Sequence, residues 1–390
     1  MSLDPHLRWK GEEEGNPGLV ARNTEWFCSS RGVRASAGVE VTIIDSQPLG
    51  NTMARRTSNK IEPAVMTLVL KTDSVTPGNE ASFTADLSQI ASVVNRRFYR
   101  QGLNWAVAGF KIITGGDDLV INVKKLPNTW VMSNAWEKGM RTWLKMNREA
   151  MSETESVRPR FMDFKIYADA IHHAAGFSSN LIPLDGSLPL TVPYQFGEWE
   201  PSKIVYPDNT TTTGLTREAE LIGTGANFPG VGASGENAVS LIEGYAASRG
   251  LPNIVDPNTP DDAADAAGSF PQNWLAAIFN EGTDQTEEVL EDLITENNLA
   301  PYPFENDGTN LDTMYPGGAN QAPGLEIHDI ARVTSTTLSN TTRFKGGNFP
   351  CGLIRFDLGN VGTSTSGMTI LIDLVPGNHR GYLCEPMTEM

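Results

Sequence analysis

The sequence predicts a mainly β protein, an antiparallel β-sandwich of Greek-key or jelly-roll type with helical insertions. Three observations carry this. Runs rich in β-branched and aromatic residues recur near both ends of the chain, separated by turns rich in Gly, Pro, Asn, Thr and Ser. Their order is strands and helices, then a long acidic stretch, then strands that must find partners among the early ones. No series of alternating strands and helices is present, which argues against a parallel doubly wound sheet.

Residues 1–60 lack periodicity and read as an N-terminal arm. Within it, VEVTIID (39–45) reads as a short strand, and the start of the chain has no apolar stretch of the secretory kind. EPAVMTLVLKTD (62–73) reads as a buried strand. DLSQIASVVNRRFY (86–99) spaces Leu87, Ile90, Ala91, Val94 and Phe98 as a helix does, with Arg96, Arg97 and Arg100 at its end. The runs on either side of Gly115-Gly116, within 104–126, read as a β-hairpin. Residues 133–151 form the strongest helical pattern. Ser133 is placed to cap it, Trp136, Met140, Trp143 and Leu144 make an apolar stripe, and Lys138, Arg141, Lys145 and Arg148 make a basic one. RFMDFKIYA (160–168) alternates as a strand, and short strands are expected near 190–195, 203–206 and 217–222. Residues 236–250 read as a helix ending at glycine. Residues 251–323 read as an acidic surface insertion holding helices at 272–279 and 285–298. The final strands are 324–337, 352–359 and 367–376. The domain reading is therefore an arm (1–60), a shell domain (61–250 and 324–390) and a projection (251–323).

The net charge of −17 is unevenly spread. Residues 1–165 hold 22 of the 30 basic residues and 18 of the 47 acidic ones; no Lys or Arg lies between Arg249 and Arg332, where 16 acidic residues do. Part of the chain can face a polyanion that the rest would repel, as in a shell with an inner and an outer surface. On this reading Arg55, Arg56, Arg96, Arg97 and Arg100 lie near the interior and 256–312 lies outside. The arginines and the 138–148 stripe are suited to phosphate contacts, and Phe98, Tyr99, Trp105, Trp136 and Trp143 to stacking on unpaired bases. The simpler alternative makes the tryptophans core and the cations a solvated face.

Enzymatic signatures are weak. GVGASG (230–235) matches a dinucleotide-loop pattern with Asp256 downstream, but TREAELIG before it is too polar for a buried parallel strand, so it reads as a surface loop. The adjacent His172 and His173 follow a strand and lack a third clustered ligand. Cys28, Cys351 and Cys384 have neither disulfide-framework nor zinc spacing. Asp307, Asn310 and Asp312 offer oxygen ligands for calcium without the EF-hand spacing. Two sequons, at Asn209 and Asn340, are of the kind that arises by chance. No apolar run approaches the ~20 residues a membrane crossing needs.

NRRFYRQGLNWAV (95–107), NTWVMSNAWEKGMRTWLKMN (128–147), RPRFMDFKIY (158–167) and GEWEPSKIVYP (197–207), in that order, resemble capsid proteins of marine circular Rep-encoding single-stranded DNA viruses, nearest the bacilladnaviruses. The resemblance covers roughly residues 90–210. It implies a single jelly-roll coat protein, an icosahedral shell in the virion and packaged single-stranded DNA. One departure is that residues 1–60, with Glu12, Glu13 and Glu14, are not the strongly basic arm common in such proteins. The sequence thus predicts a non-enzymatic, self-assembling coat subunit, with itself and single-stranded DNA as partners, no membrane, and no cofactor beyond calcium at 307–312. The alternative is a β-sandwich that binds glycans or a receptor on a virion or cell surface; a further one is an enzyme using the 230–256 loop.

Overall fold

A computed structural model describes residues 63–115, 118–152, 162–187, 192–208, 215–225, 230–248 and 324–390, together with Leu275 and Phe279. The arm, the strand at 39–45, the helix at 285–298, and Arg55, Arg56, Asp307, Asn310 and Asp312 lie outside the described residues.

In chain order the strands are β1 (Thr67–Lys71), β2 (Glu80–Asp86), β3 (Leu103–Thr114), β4 (Leu119–Lys125), β5 (Lys203–Asp208), β6 (Leu215–Ile222), β7 (Asn237–Ser240), β8 (Glu326–Val333), β9 (Thr341–Phe349), β10 (Leu353–Asn360) and β11 (Met368–Leu374), then the short β12 (Pro376–Gly377), β13 (Gly381–Tyr382) and β14 (Cys384–Pro386). The helices are α1 (Leu87–Asn95), α2 (Trp130–Ser152), α3 (Ala170–Ala175) and α4 (Leu241–Ser248). The fold is mainly β.

Two antiparallel sheets make the main body. One runs β1-β11-β3-β14, with β9 also paired to β3; the other runs β2-β10-β4-β8. Period-2 alternation explains why each sheet buries one face. Leu119, Ile121 and Val123 of β4 are fully buried, while Val120, Asn122 and Lys124, which alternate with them, are only partly so. The buried faces meet in one core: Leu68, Leu70, Phe110, Ile112, Ile370 and Ile372 from the first sheet, Ile121, Ile354, Phe356 and Leu358 from the second. Phe110 and Phe356 touch edge to face across it, ring centres 5.9 Å apart.

The predicted hairpin at 104–126 is not one. β3 and β4 enter different sheets and pair with β11 and β9, and with β10 and β8, respectively. Alternation requires each strand to bury one face, and facing strands in two sheets satisfy that as fully as paired neighbours do. In β3 the register slips between Asp373 and Leu374, which face Gly109 and Val107, so Ala108 bulges. A side chain at Gly346 of β9 would collide with the carbonyl oxygens of Val107 and Ala108, so only glycine lets β9 close on the bulge.

Between β4 and β8 the chain leaves these sheets. The expected shell domain spans 61–250 and 324–390; the strands of the two sheets come from 67–125 and 326–386. Residues 126–248 build a second core around α2, α4 and a sheet of order β5-β6-β7, with Trp136, Phe164, Ile204, Leu221, Leu241 and Tyr245 at its centre. Residues 162–168 are extended coil and not a sandwich strand; their one bridge joins Tyr167 to Ile222, in parallel. Residues 236–250 begin as β7 before turning helical at Leu241. β7 pairs in parallel with β6, whose Ala219, Glu220, Leu221 and Ile222 are fully buried. From Ala219 on, TREAELIG is thus a buried parallel strand after all, with the Glu220 carboxylate 3.0 Å from Nε2 of the buried His173 but in no hydrogen bond of good geometry. Among the described residues no helix is long and apolar enough to cross a membrane.

Candidate nucleic-acid interface

The first arginine cluster lies on the loop 96–102, between α1 and β3. Asp86 caps α1, accepting from the backbone N–H of Ser88 and Gln89. The helix stops at Arg96, in the left-handed region at φ 53°. Beyond it the loop alternates. Tyr99 and Gln101 point inward and are fully buried, whereas Arg96, Arg97 and Arg100 are exposed. Tyr99 packs on Trp105 and Tyr382, and its hydroxyl donates to the Arg380 carbonyl at 3.0 Å. Gln101 accepts from Ile166 N–H at 2.6 Å and donates to Asp86 Oδ2 at 3.1 Å. These two anchors fix the loop, so the arginines have no inward option.

Arg380, on the turn between β12 and β13, donates to the Phe98 carbonyl, and Arg100 lies over the Phe98 ring at 5.6 Å. Between this pair and α2 opens a cleft of about 530 Å³, walled by Phe98, Trp136, Met140, Trp143, Leu144 and Phe164 and edged by Arg100 and Arg380. Trp136 and Trp143 contact Phe164 at 5.8 and 5.7 Å between ring centres. Gly102 lies against the Trp136 ring, leaving no room for a side chain there. Asp163 also lines the cleft and accepts from Gln101 N–H at 3.2 Å. Burial pushes its carboxyl up to about 6, opposed by nearby Lys165.

The expected sites divide. α2 starts at Trp130 rather than Ser133, with Thr129 as cap: its hydroxyl oxygen accepts from Met132 N–H at 3.4 Å. Ser133 lies inside the helix and donates to the Met387 carbonyl at 2.6 Å. The apolar stripe is as expected, with Trp136 buried and Trp143 half-buried. Of the basic stripe, Arg141, Lys145 and Arg148 are exposed, Arg141 paired with Glu137. Lys138 departs from it: its ammonium donates to the Phe279 carbonyl at 3.3 Å and lies over the Tyr245 ring, so it joins α2 to its neighbours. Among the five aromatics proposed for stacking, Tyr99 and Trp105 are wholly buried and Trp136 nearly so. The rings left half-exposed are Phe98 and Trp143.

His172 and His173 sit on α3, not beyond a strand, and both are buried. His172 accepts from Ala168 N–H at 3.0 Å through Nδ1 and donates to Asn180 Oδ1 at 2.8 Å through Nε2. Burial, with Arg355 nearby, lowers its pKa to about 3, so it is neutral. Among the described residues no cluster of His, Cys, Asp or Glu is arranged to hold a metal ion. GVGASG is an exposed loop whose Gly232 rests on the His173 ring. Sequence reasoning missed Arg380 and Phe164. Phe164 lay in a segment read as a sandwich strand. Arg380 stands 280 residues from Arg100 in a turn of no distinctive pattern, and only the contact with Tyr99 and Phe98 brings it to the cleft.

Comparison with protein-family models, with curated proteins and with solved structures finds no match to this chain.

Proposed function

We propose that this chain is a coat subunit that assembles into an icosahedral shell around single-stranded DNA, and that its two main sheets are the walls of a single jelly roll. The strand pairing is the observation that carries this reading. With the β5-β6-β7 sheet and the short C-terminal strands set aside, β1–β4 and β8–β11 leave eight strands. First pairs with eighth, second with seventh, third with sixth and fourth with fifth, all antiparallel. Eighth then pairs with third, and seventh with fourth. One long antiparallel hairpin rolled over on itself yields this set of pairs, and it is the jelly-roll plan of viral capsid and lectin domains and cupins. On this plan the whole of 126–325 is inserted between the fourth and fifth strands.

A fold hosts many functions, so the choice among them rests on other features. Charge segregation along the sequence and the resemblance over roughly residues 90–210 favour the coat. The exposed arginines 96, 97 and 100, fixed by Tyr99 and Gln101, supply a local cationic surface despite the net charge of −17, since exposed charges act over a Debye length of ~8 Å. The role is assembly and packaging rather than catalysis.

Negative-stain electron microscopy of the purified full chain, with assay of nuclease-protected DNA, tests the proposal. Closed shells or regular capsomers are expected. A monomer by light scattering across salt and calcium concentrations overturns it and favours the surface-binding alternative. In particles, replacing Arg96, Arg97 and Arg100 by Gln lowers the DNA content and reduces the salt dependence of DNA binding, by about one unit of log–log slope per lost phosphate contact.

A further inference from the structure

We propose that the cleft between loop 96–102 and α2 is a binding site for one unpaired nucleotide, with Phe98 and Trp143 offering ring faces to the base and Arg100 and Arg380 holding the phosphate. The proposal rests on the single-stranded DNA reading and gives it a specific subsite.

Four observations converge. The cleft's volume, about 530 Å³, lies within the range of small-ligand pockets, and its walls are aromatic and aliphatic. The two half-exposed rings face this space from different elements, one on the loop and one on α2. Trp143 is backed by Phe164, itself in edge-to-face contact with the buried Trp136, so the platform is held from behind. The cations are at the edge: Arg100 over Phe98, and Arg380 tied to the Phe98 carbonyl with its own carbonyl held by Tyr99. A base needs a π-face and its phosphate needs a guanidinium; the cleft sets both within one nucleotide's reach. An apolar peptide side chain would use the rings alone; each arginine holds one carbonyl, Arg100 that of Met162 and Arg380 that of Phe98, and has further N–H groups to offer a phosphate. The acidic group in the lining, Asp163, is engaged by the Gln101 N–H.

The test uses the full-length chain and fluorescence anisotropy of a labelled (dT)12 oligomer, an abasic oligomer of the same length, and dAMP as competitor. The base-bearing oligomer is expected to bind about tenfold or more tightly than the abasic one, the scale of stacking a single base. Trp143→Leu and Phe98→Leu abolish that preference and leave the salt slope unchanged. Arg100→Gln lowers the salt slope by about one and leaves the preference intact. Weak competition by millimolar dAMP assigns the site to a nucleotide within a strand; competition at micromolar dAMP assigns it to the free nucleotide and overturns its role in packaging. Equal affinity for the two oligomers overturns the site. Photocrosslinking of a 5-iodo-deoxyuridine oligomer to the unsubstituted protein needs no variant to fold: adducts at Phe98 or Trp143 support the site, and adducts confined elsewhere overturn it. Electron microscopy keeps the two readings apart. Shells without base preference remove the subsite alone, whereas base preference without shells removes the coat reading and keeps the subsite.

Discussion

Among the contacts that join the main sheets to the 126–248 region is one buried ion pair. Arg355, on β10, is 1% exposed; its Nε donates to Thr84 Oγ1 at 2.9 Å, and a terminal nitrogen donates to Asp169 Oδ1 at 2.5 Å. Asp169 also caps α3, accepting from His172 N–H at 2.9 Å. Removing one member of a buried pair leaves a charge that burial penalises, typically by about 3–5 kcal/mol. Losing the cap adds about 1 kcal/mol. Asp169→Ala incurs both losses and should cost about 4–6 kcal/mol. Asp169→Asn keeps a cap acceptor and should cost about 1 kcal/mol less. Adding Arg355→Met to Asp169→Ala removes the stranded charge, so the double variant should be more stable than Asp169→Ala alone by several kcal/mol. Urea unfolding followed by tryptophan fluorescence measures these differences as shifts in midpoint. Were both Asp169 variants within 0.5 kcal/mol of the parent on the scale of surface changes, or the double variant as costly as the two singles summed, the pair would not couple the two regions as drawn.

Phe356→Ala, at the centre of the core between the sheets, should cost about 3–5 kcal/mol in the same assay, and combined with Phe110→Ala less than the sum, because the two rings share one contact. Gly346→Ala should destabilise by more than the ~1 kcal/mol that glycine ordinarily yields to alanine and with the opposite sign, because the new methyl group meets the backbone of the β3 bulge; hydrogen exchange should rise selectively in β9. Opposing contributions shape the pH dependence, and Asp86, raised by its complete burial, acts in the same sense as Asp163. Asp163, pushed up to about 6, holds its proton longer folded than unfolded, so its contribution to stability falls as pH rises from about 4 to about 6. His172, lowered to about 3, takes up its proton more readily when unfolded, so its contribution falls as pH drops from about 6.5 toward 3. Asp163→Asn should therefore raise stability at pH 7 and make the remaining profile climb more steeply between pH 4 and 6; an unchanged profile would contradict the burial of Asp163.

Much of this protein is local in origin and was legible in the chain. The alternation in LVINV and MTILIDL, the 3.6-residue period of Trp136, Met140 and Trp143, and the acid–base division along the sequence each need only neighbouring residues. The exposed arginines after α1 follow from a helix that must end before a strand begins. What tertiary structure alone decided is which strand meets which. β3 and β4 separate into opposite sheets because their partners, β11, β9, β10 and β8, stand some 200 residues or more further on, and period 2 names a buried face but no partner. β9 escaped notice because TTRFKGGNF buries only Phe344 and Phe349; its glycine pair answers a bulge in another strand. Arg355 and Glu220 interrupt apolar runs, yet both are buried, and it is a distant segment that brings Asp169 and His173 beside them. The cleft belongs to the same class. Phe98, Trp143 and Arg380 are 45 to 282 residues apart, and only closure of the C-terminal turn onto Tyr99 brings them around one space.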